Sequence, residues 1–343
     1  MYKKLFLFLG IIIGMTFLSN VTLAADSFFA GKTIRVLVGS APGGGYDTAG
    51  RLVARHMGKY IPGNPTVIVE NNPGAGGVIV ANTIFKKAKP DGLTIGLFNG
   101  GLMYSQLCKE PGIEFDATKF EFLGGPYRGG NAVGLNKASG IKNIEQWMAS
   151  KRPLKFGGSG EGAGGTNTMF ILKEALGLPI HMIPGYRGSS EVRLAVESGE
   201  LDGTAIGWTS MRVTWRNDLE KGNVFVVLQI VPKAYPDLPN VPLAINHAKT
   251  EEGRQLIEYG LHKQIPFSRP FVMPPGTPKE RMQILRKAFQ ECLKDKELLA
   301  ESAKSRIDVE PVTDEEMKNA VVDLFKMNPA MIAKLRKLMF ESL

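Results

Sequence analysis

Two glycine-rich turns constrain this chain more than any other feature: Pro42-Gly43-Gly44-Gly45-Tyr46-Asp47 and Asn72-Pro73-Gly74-Ala75-Gly76-Gly77. Each ends an apolar, strand-like run, Ile34 to Val38 and Thr66 to Val69, and opens a helical pattern. A strand, a glycine turn and a helix in succession leave backbone N–H groups uncovered at the helix N-terminus, where the macrodipole is positive. Such a turn favours an anion. Two of them side by side form a pincer for a small carboxylate or phosphate, with glycine letting the backbone approach where a Cβ would intrude.

The rest of the chain extends this arrangement. Ala49, Leu52, Val53, Met57 and Tyr60 recur at helical spacing, which predicts a helix from Asp47 to Tyr60 with Asp47 near its N-cap. The second turn opens a helix to about Lys87, and Pro90-Asp91-Gly92 turns into a strand from Thr94 to Phe98. Strand, helix, strand, helix, strand in this order predicts a parallel sheet with right-handed crossovers, its turns at the carboxyl ends of strands where open α/β sheets bind ligands. A second alternating set runs from about Asn131, with strands at Ala132 to Leu135, Leu154 to Gly157, Ile180 to Ile183, Thr204 to Gly207 and Val224 to Ile230. It contains a third glycine run, Gly157 to Gly165, again between strand and helix. Four prolines between Pro232 and Pro242 argue for an extended connection, read as one arm of a hinge whose other arm lies near Gly124-Gly125-Pro126.

Lys3 and Lys4 precede an uncharged apolar stretch from Leu5 to about Leu18 and a small-residue site at Leu23-Ala24-Ala25, the pattern of a cleavable signal peptide. The apolar core falls short of a membrane span, and no later stretch is long and apolar enough to form one. Without those two lysines the net charge falls from +9 to +7, spread rather than clustered, and aromatic-interleaved basic runs are absent, which argues against nucleic acid. Cys108 and Cys292 do not make a disulfide framework; a pair and two buried thiols are both open. The four histidines, at 56, 181, 247 and 262, show no ligand spacing, so no metal and no cofactor are expected.

Several motifs come close and miss. The glycine spacing from Gly45 to Leu52 supplies Arg-Leu where a nucleotide P-loop needs lysine and a hydroxyl. Gly160-x-Gly162-x-x-Gly165 has dinucleotide spacing, but the strand that follows ends at Ile183-Pro184-Gly185 without the acid that would hold a ribose. Ser159 lacks the flanking glycines of a nucleophile elbow because Glu161 takes the last place.

The ordered set of motifs resembles the tripartite tricarboxylate transporter substrate-binding family, also called the Bug receptors. It comprises Pro42 to Asp47 with Arg51, Asn72 to Gly77, Lys87-Ala88-Lys89-Pro90-Asp91-Gly92-Leu93-Thr94, Tyr186-Arg187-Gly188-Ser189 with Gly199 and Asp202, Leu238 to Pro242, and Pro275-Gly276-Thr277-Pro278. The resemblance implies an α/β, two-domain periplasmic binding protein (type II-like) clamshell with a ligand cleft between domains. On this chain that means a signal peptide at 1–25, a discontinuous first domain at 26–126 and 236–343, and a second domain at 127–235. It implies a monomeric, non-enzymatic periplasmic receptor that binds a small carboxylated solute and delivers it to a membrane permease.

Carried over residue by residue, the carboxylate grip falls on Gly43, Gly44, Gly45, Tyr46 and Asp47 with Ala75, Gly76 and Gly77. Selection falls on Ser159, Glu161, Thr166, Asn167, Tyr186, Arg187 and Gly188, and Trp208 offers an aromatic wall. Asp47 also reads as a helix cap, and Arg187 either pairs with a second carboxylate or bridges domains. Gly50, Ala163, Thr166 and Leu243 depart from the family's usual Ala, Ser, His and Thr. Two other readings keep the export signal: an enzyme using Glu161, Asp202 or His181 as acid or base, and a receptor that informs a sensor kinase.

Overall fold

The structure, a computed structural model, describes residues 28–158, 164–186, 189–305 and 307–342. The first three strands are β1 (Thr33–Val38), β2 (Thr66–Asn71) and β3 (Thr94–Leu97), linked by the helices α1 (Gly45–Met57) and α2 (Val78–Lys86). β1 lies between the other two and runs parallel to both, with Val36 opposite Val69 and Ile95. α1 presses Ala49, Gly50, Leu52, Val53 and Met57 inward. A Cβ at Gly50 would stand 3.1 Å from Val38 and 3.4 Å from Leu97, so this helix lies closer to its sheet than alanine would leave it.

Beyond the third strand the sheet turns antiparallel. β4 (Glu121–Gly125) leads out of this layer, and the order is completed by β10 (Phe271–Met273) and β11 (Val312–Thr313) to give β11-β4-β10-β3-β1-β2. Both of β10's pairings, with β3 and β4, are antiparallel, as is that of β11 with β4. Strands of three and two residues are too short to show a period in sequence; the strand-like stretch from Phe267 to Met273 marks β10, but nothing local marks its antiparallel partners.

The second sheet has the order β7-β6-β8-β5-β9, built from β5 (Asn131–Asn136), β6 (Leu154–Gly157), β7 (Ile180–Ile183), β8 (Gly203–Gly207) and β9 (Val224–Ile230). β6 pairs parallel with β7 and β8, whereas β5 pairs antiparallel with β8 and β9. Its layers are filled by α3 (Gly164–Leu176), α4 (Ser189–Glu197) and α5 (Trp208–Thr214). Trp147 stacks on Phe156 at 5.3 Å between ring centres, anchoring the core of this lobe. Two helices from further along the chain, α6 (Glu251–Ile257) and α7 (Pro329–Phe340), pack against α3. The lobe around the second sheet therefore draws on chain beyond Tyr235.

The chain leaves the first sheet through residues 126–130, and the segment that touches this crossing is 268–270, on its way into β10. Gly129 N donates to Ser268 Oγ at 3.1 Å, and Gly100 N donates to Ser268 O at 3.3 Å. The proline-rich segment is not that second crossing. Gln229, fully buried on β9, donates from Nε2 to Leu238 O and Val241 O and accepts from Tyr235 N through Oε1, while its backbone N–H donates to Pro242 O. One glutamine satisfies the backbone groups that prolines cannot pair, and it fastens the segment to the second sheet. Cys108 and Cys292 are buried free thiols, and burial pushes each up to about 12.

Candidate functional site: a cleft between two lobes

The first glycine turn is shaped from behind. Gly44 is the N-cap of α1 in extended conformation, and no side chain caps the helix. Asp47, 3 % exposed, accepts from Gly43 N at 2.8 Å, Asn71 Nδ2 at 2.9 Å and Arg51 Nε at 3.0 Å. Burial would raise its pKa, but the hydrogen bonds from Arg51, Gly43 and Asn71 prevail and hold the carboxyl below its usual range. Asp47 is committed to the turn's shape, with its carboxylate directed away from the cleft lining.

The second turn carries positive φ at Gly74, Ala75, Gly76 and Gly77, and no side chain caps α2. The end of β1 touches the second turn: a Cβ on Gly39 would lie 2.9 Å from Gly77 Cα. That approach sets the carboxyl end of β1, from which the first turn leads to α1, against the N-cap of α2.

The two turns open on a cleft of about 740 Å³. The first sheet contributes Ser40, Gly43, Gly44, Gly45, Tyr46, Ala75, Gly76 and Asn99; the second contributes Gly157, Gly165, Thr166, Thr204, Gly207 and Ser210. Of the expected grip, Gly43 to Tyr46, Ala75 and Gly76 line this space, while Asp47 and Gly77 lie behind it. Of the expected selectors, Thr166 lines it. Asn167 is buried beside Thr166, and its Oδ1 lacks a hydrogen-bond partner. The Tyr186 hydroxyl donates to Glu200 at 2.5 Å; burial first, and then that bond, raises it to about 12. The Trp208 indole turns inward and donates to Asp237 at 3.0 Å, so its neighbours Thr209 and Ser210 face the cleft instead. Ser159, Glu161, Arg187 and Gly188 lie outside the described residues.

The sequence reading missed the floor of the cleft. Arg269 places its guanidinium carbon 5.1 Å from the centre of the Tyr46 ring and 4.6 Å from that of Tyr127. The Tyr46 hydroxyl donates to Asn99 Oδ1 at 3.2 Å and Ser268 O at 3.3 Å, and the Tyr127 hydroxyl donates to Gly45 O at 3.3 Å. One signal was available: Pro270 keeps Arg269 out of helix and itself fits only a strand's start or edge, so Ser268-Arg269-Pro270 reads as an extended connection into β10.

The acid and base candidates are placed elsewhere. Asp202 is paired with both terminal nitrogens of Arg152 at 2.8 Å, and His181 is exposed on β7; neither lines the cleft. His56, Asp295 and Glu297 bring metal-capable donor atoms together far from the cleft, but the Lys59 ammonium already lies 2.5 Å from Asp295 and 2.8 Å from Glu297.

Two α/β lobes joined by crossing strands, with glycine turns facing a cleft, define a solute-binding protein of the two-domain periplasmic binding type. The chain matches the tripartite tricarboxylate transporter family receptor over residues 50–336, and it belongs to that family. A relative from Cupriavidus necator, described as a UPF0065 protein in the gbd 5' region, is 27 % identical over 90 % of this chain and 88 % of its own length. Another, from the TAR-I ttuE-ttuC' intergenic region of Agrobacterium vitis, is 28 % identical over 68 % of this chain, which spans 66 % of that relative. Among solved structures, the periplasmic binding protein BugD superposes with a TM-score of 0.68 at 22 % identity, covering 90 % of this chain and 97 % of that one. Two from Rhodopseudomonas palustris share the fold: Rpa4515 with adipate, TM-score 0.68 at 20 % identity over 90 % and 97 %, and MatC with bound malate, TM-score 0.65 at 19 % over 90 % and 99 %.

Proposed function

We propose that this receptor captures a small carboxylated solute in the interlobe cleft, outside the cytoplasm, and presents it to the membrane subunits of a tripartite tricarboxylate-type permease. The observation that carries this reading is that both uncapped glycine turns, through Gly43 to Tyr46 and through Ala75 and Gly76, line the same cleft, with Gly39 at the end of β1 packed against Gly77 behind them. Backbone N–H groups at two helix N-termini then converge where an anion is most favoured. Malate and adipate bound in family-fold neighbours support the solute class. Residues 1–25 are a removed export signal in this reading, and the mature chain acts as a monomer without chemistry. The lobes, the first built on 26–126 with β10 and β11 and the second on 127–235 with the proline-rich segment, α6 and α7 packed against it, close on the solute by rotation about the segments that join them, 126–130 and 268–270 among them.

A thermal-shift screen against mono-, di- and tricarboxylates tests this. A solute at 100 times its dissociation constant adds roughly 2.7 kcal/mol of stability, a shift of several degrees in melting temperature. No shift from any carboxylate, with a shift from a neutral sugar or a cation, would overturn it.

A further inference from the structure

We propose that the solute's carboxylate is bound through the charge of Arg269, with Ser210 beside it, and that the glycine turns complete this seat and do not make it alone. The proposal rests on the receptor reading above and names the group that gives the cleft its preference for an anion.

Arg269 Nη2 lies 3.3 Å from where a Cβ on Gly45 would stand, and Ser210 Oγ lies 3.4 Å from the same point. Nη1 lies 2.8 Å from the corresponding point on Gly129, in the crossing between lobes. The guanidinium therefore occupies space that opens because glycine stands at 45 and 129, against the first lobe and the crossing, and the second lobe's Ser210 approaches the same point at Gly45. Among the described residues no carboxylate lies within ion-pair distance of it, and its Nε is buried without a hydrogen-bond partner. Among the described residues Arg193 is the other arginine lining the cleft, and it is paired with Glu197. A half-buried guanidinium facing the cleft with no counter-charge has as its natural complement a carboxylate that arrives with the ligand.

The two tyrosines explain how it is kept ready. Contact with the Tyr46 and Tyr127 rings stabilises the cation and fixes the plane of the side chain, so little rotamer freedom remains to be lost on binding. The N–H edges stay available for a planar, two-point contact with a carboxylate. Ser40 Oγ, 3.9 Å from the Cβ position of Gly44, is likewise buried without a partner and adds a polar atom on the first-lobe side.

The test compares acids with their own amides. Wild type, Arg269→Gln and Arg269→Lys are titrated calorimetrically with C3 to C8 mono- and dicarboxylates and the matching primary amides. Wild type prefers the best-bound acid over its amide by about a hundredfold or more; Arg269→Gln reduces that preference to below about tenfold; Arg269→Lys, which keeps the charge but not the fork, falls between. A merely structural arginine would weaken acid and amide by the same factor, and that outcome, or an unchanged preference, overturns the proposal while leaving the receptor reading intact. If Arg269→Gln does not fold, the lysine variant decides on the same ratio. If wild type binds none of the acids, the receptor reading fails and this proposal fails with it.

Discussion

Gly39, at the end of β1, and Gly44, in the first turn, have opposite roles in the structure. Gly44 has an ordinary extended backbone, and the nearest atom to a Cβ there is Ala41 O at 3.5 Å, so valine fits the fold and projects into the cleft. Gly44→Val is expected to abolish solute binding in calorimetry while lowering stability by only about 1 kcal/mol, the difference between glycine and valine as an N-cap. Gly39→Ala meets the backbone of Gly77 and is expected to cost about 1 to 3 kcal/mol in a denaturant melt through overpacking. Sequence spacing showed that these glycines form turns and could not show which side of each turn faces the ligand. Arg269 was invisible for a related reason: its meaning comes from Tyr46, Tyr127, Ser210 and Gly129, all more than fifty residues away in sequence.

His262 supplies a residue-scale prediction of a different kind. It is 8 % exposed, its Nε2 has no partner, and burial pushes its pKa down to about 4 from 6.5. The unfolded chain therefore takes up a proton that the folded chain refuses. Stability from this group is complete above about pH 6.5 and is lost as pH falls toward 4, by on the order of 3 kcal/mol. Urea melts across that range should show the slope, and His262→Gln should flatten it. A wild-type curve that is level between pH 6.5 and 4.5 would contradict the burial argument.

At the scale of elements, the parallel strands and their crossover helices were legible because periodic apolar residues and glycine turns mark them locally. In the antiparallel half of the first sheet the run from Phe267 to Met273 reads as a strand and becomes β10, but its place, like that of β11, is set by partners more than a hundred residues away in sequence. The proline-rich segment shows the limit of composition: prolines correctly announced an extended path, but the side chain that decides where it lies is Gln229. Gln229→Ala removes three side-chain hydrogen bonds from a fully buried position. It is expected to cost about 3 kcal/mol and to release protection of the Tyr235 amide, which donates to Gln229 Oε1, in hydrogen exchange. Unchanged protection would mean that the segment is held by something other than this residue.

For the whole molecule, a solute that touches both lobes is expected to draw them together by rotation about the segments that join them, 126–130 and 268–270 among them. Small-angle scattering is expected to show a smaller radius of gyration with saturating solute, and an equal radius with the Gly44→Val variant under the same conditions. The central claim is that the cleft holds a carboxylate and releases it unaltered. Native mass spectrometry of the mature protein incubated with a carboxylate panel tests it most directly. The account predicts one solute bound per chain, recovered at its original mass. A solute released at a changed mass, or no complex with any carboxylate in the panel, would contradict it.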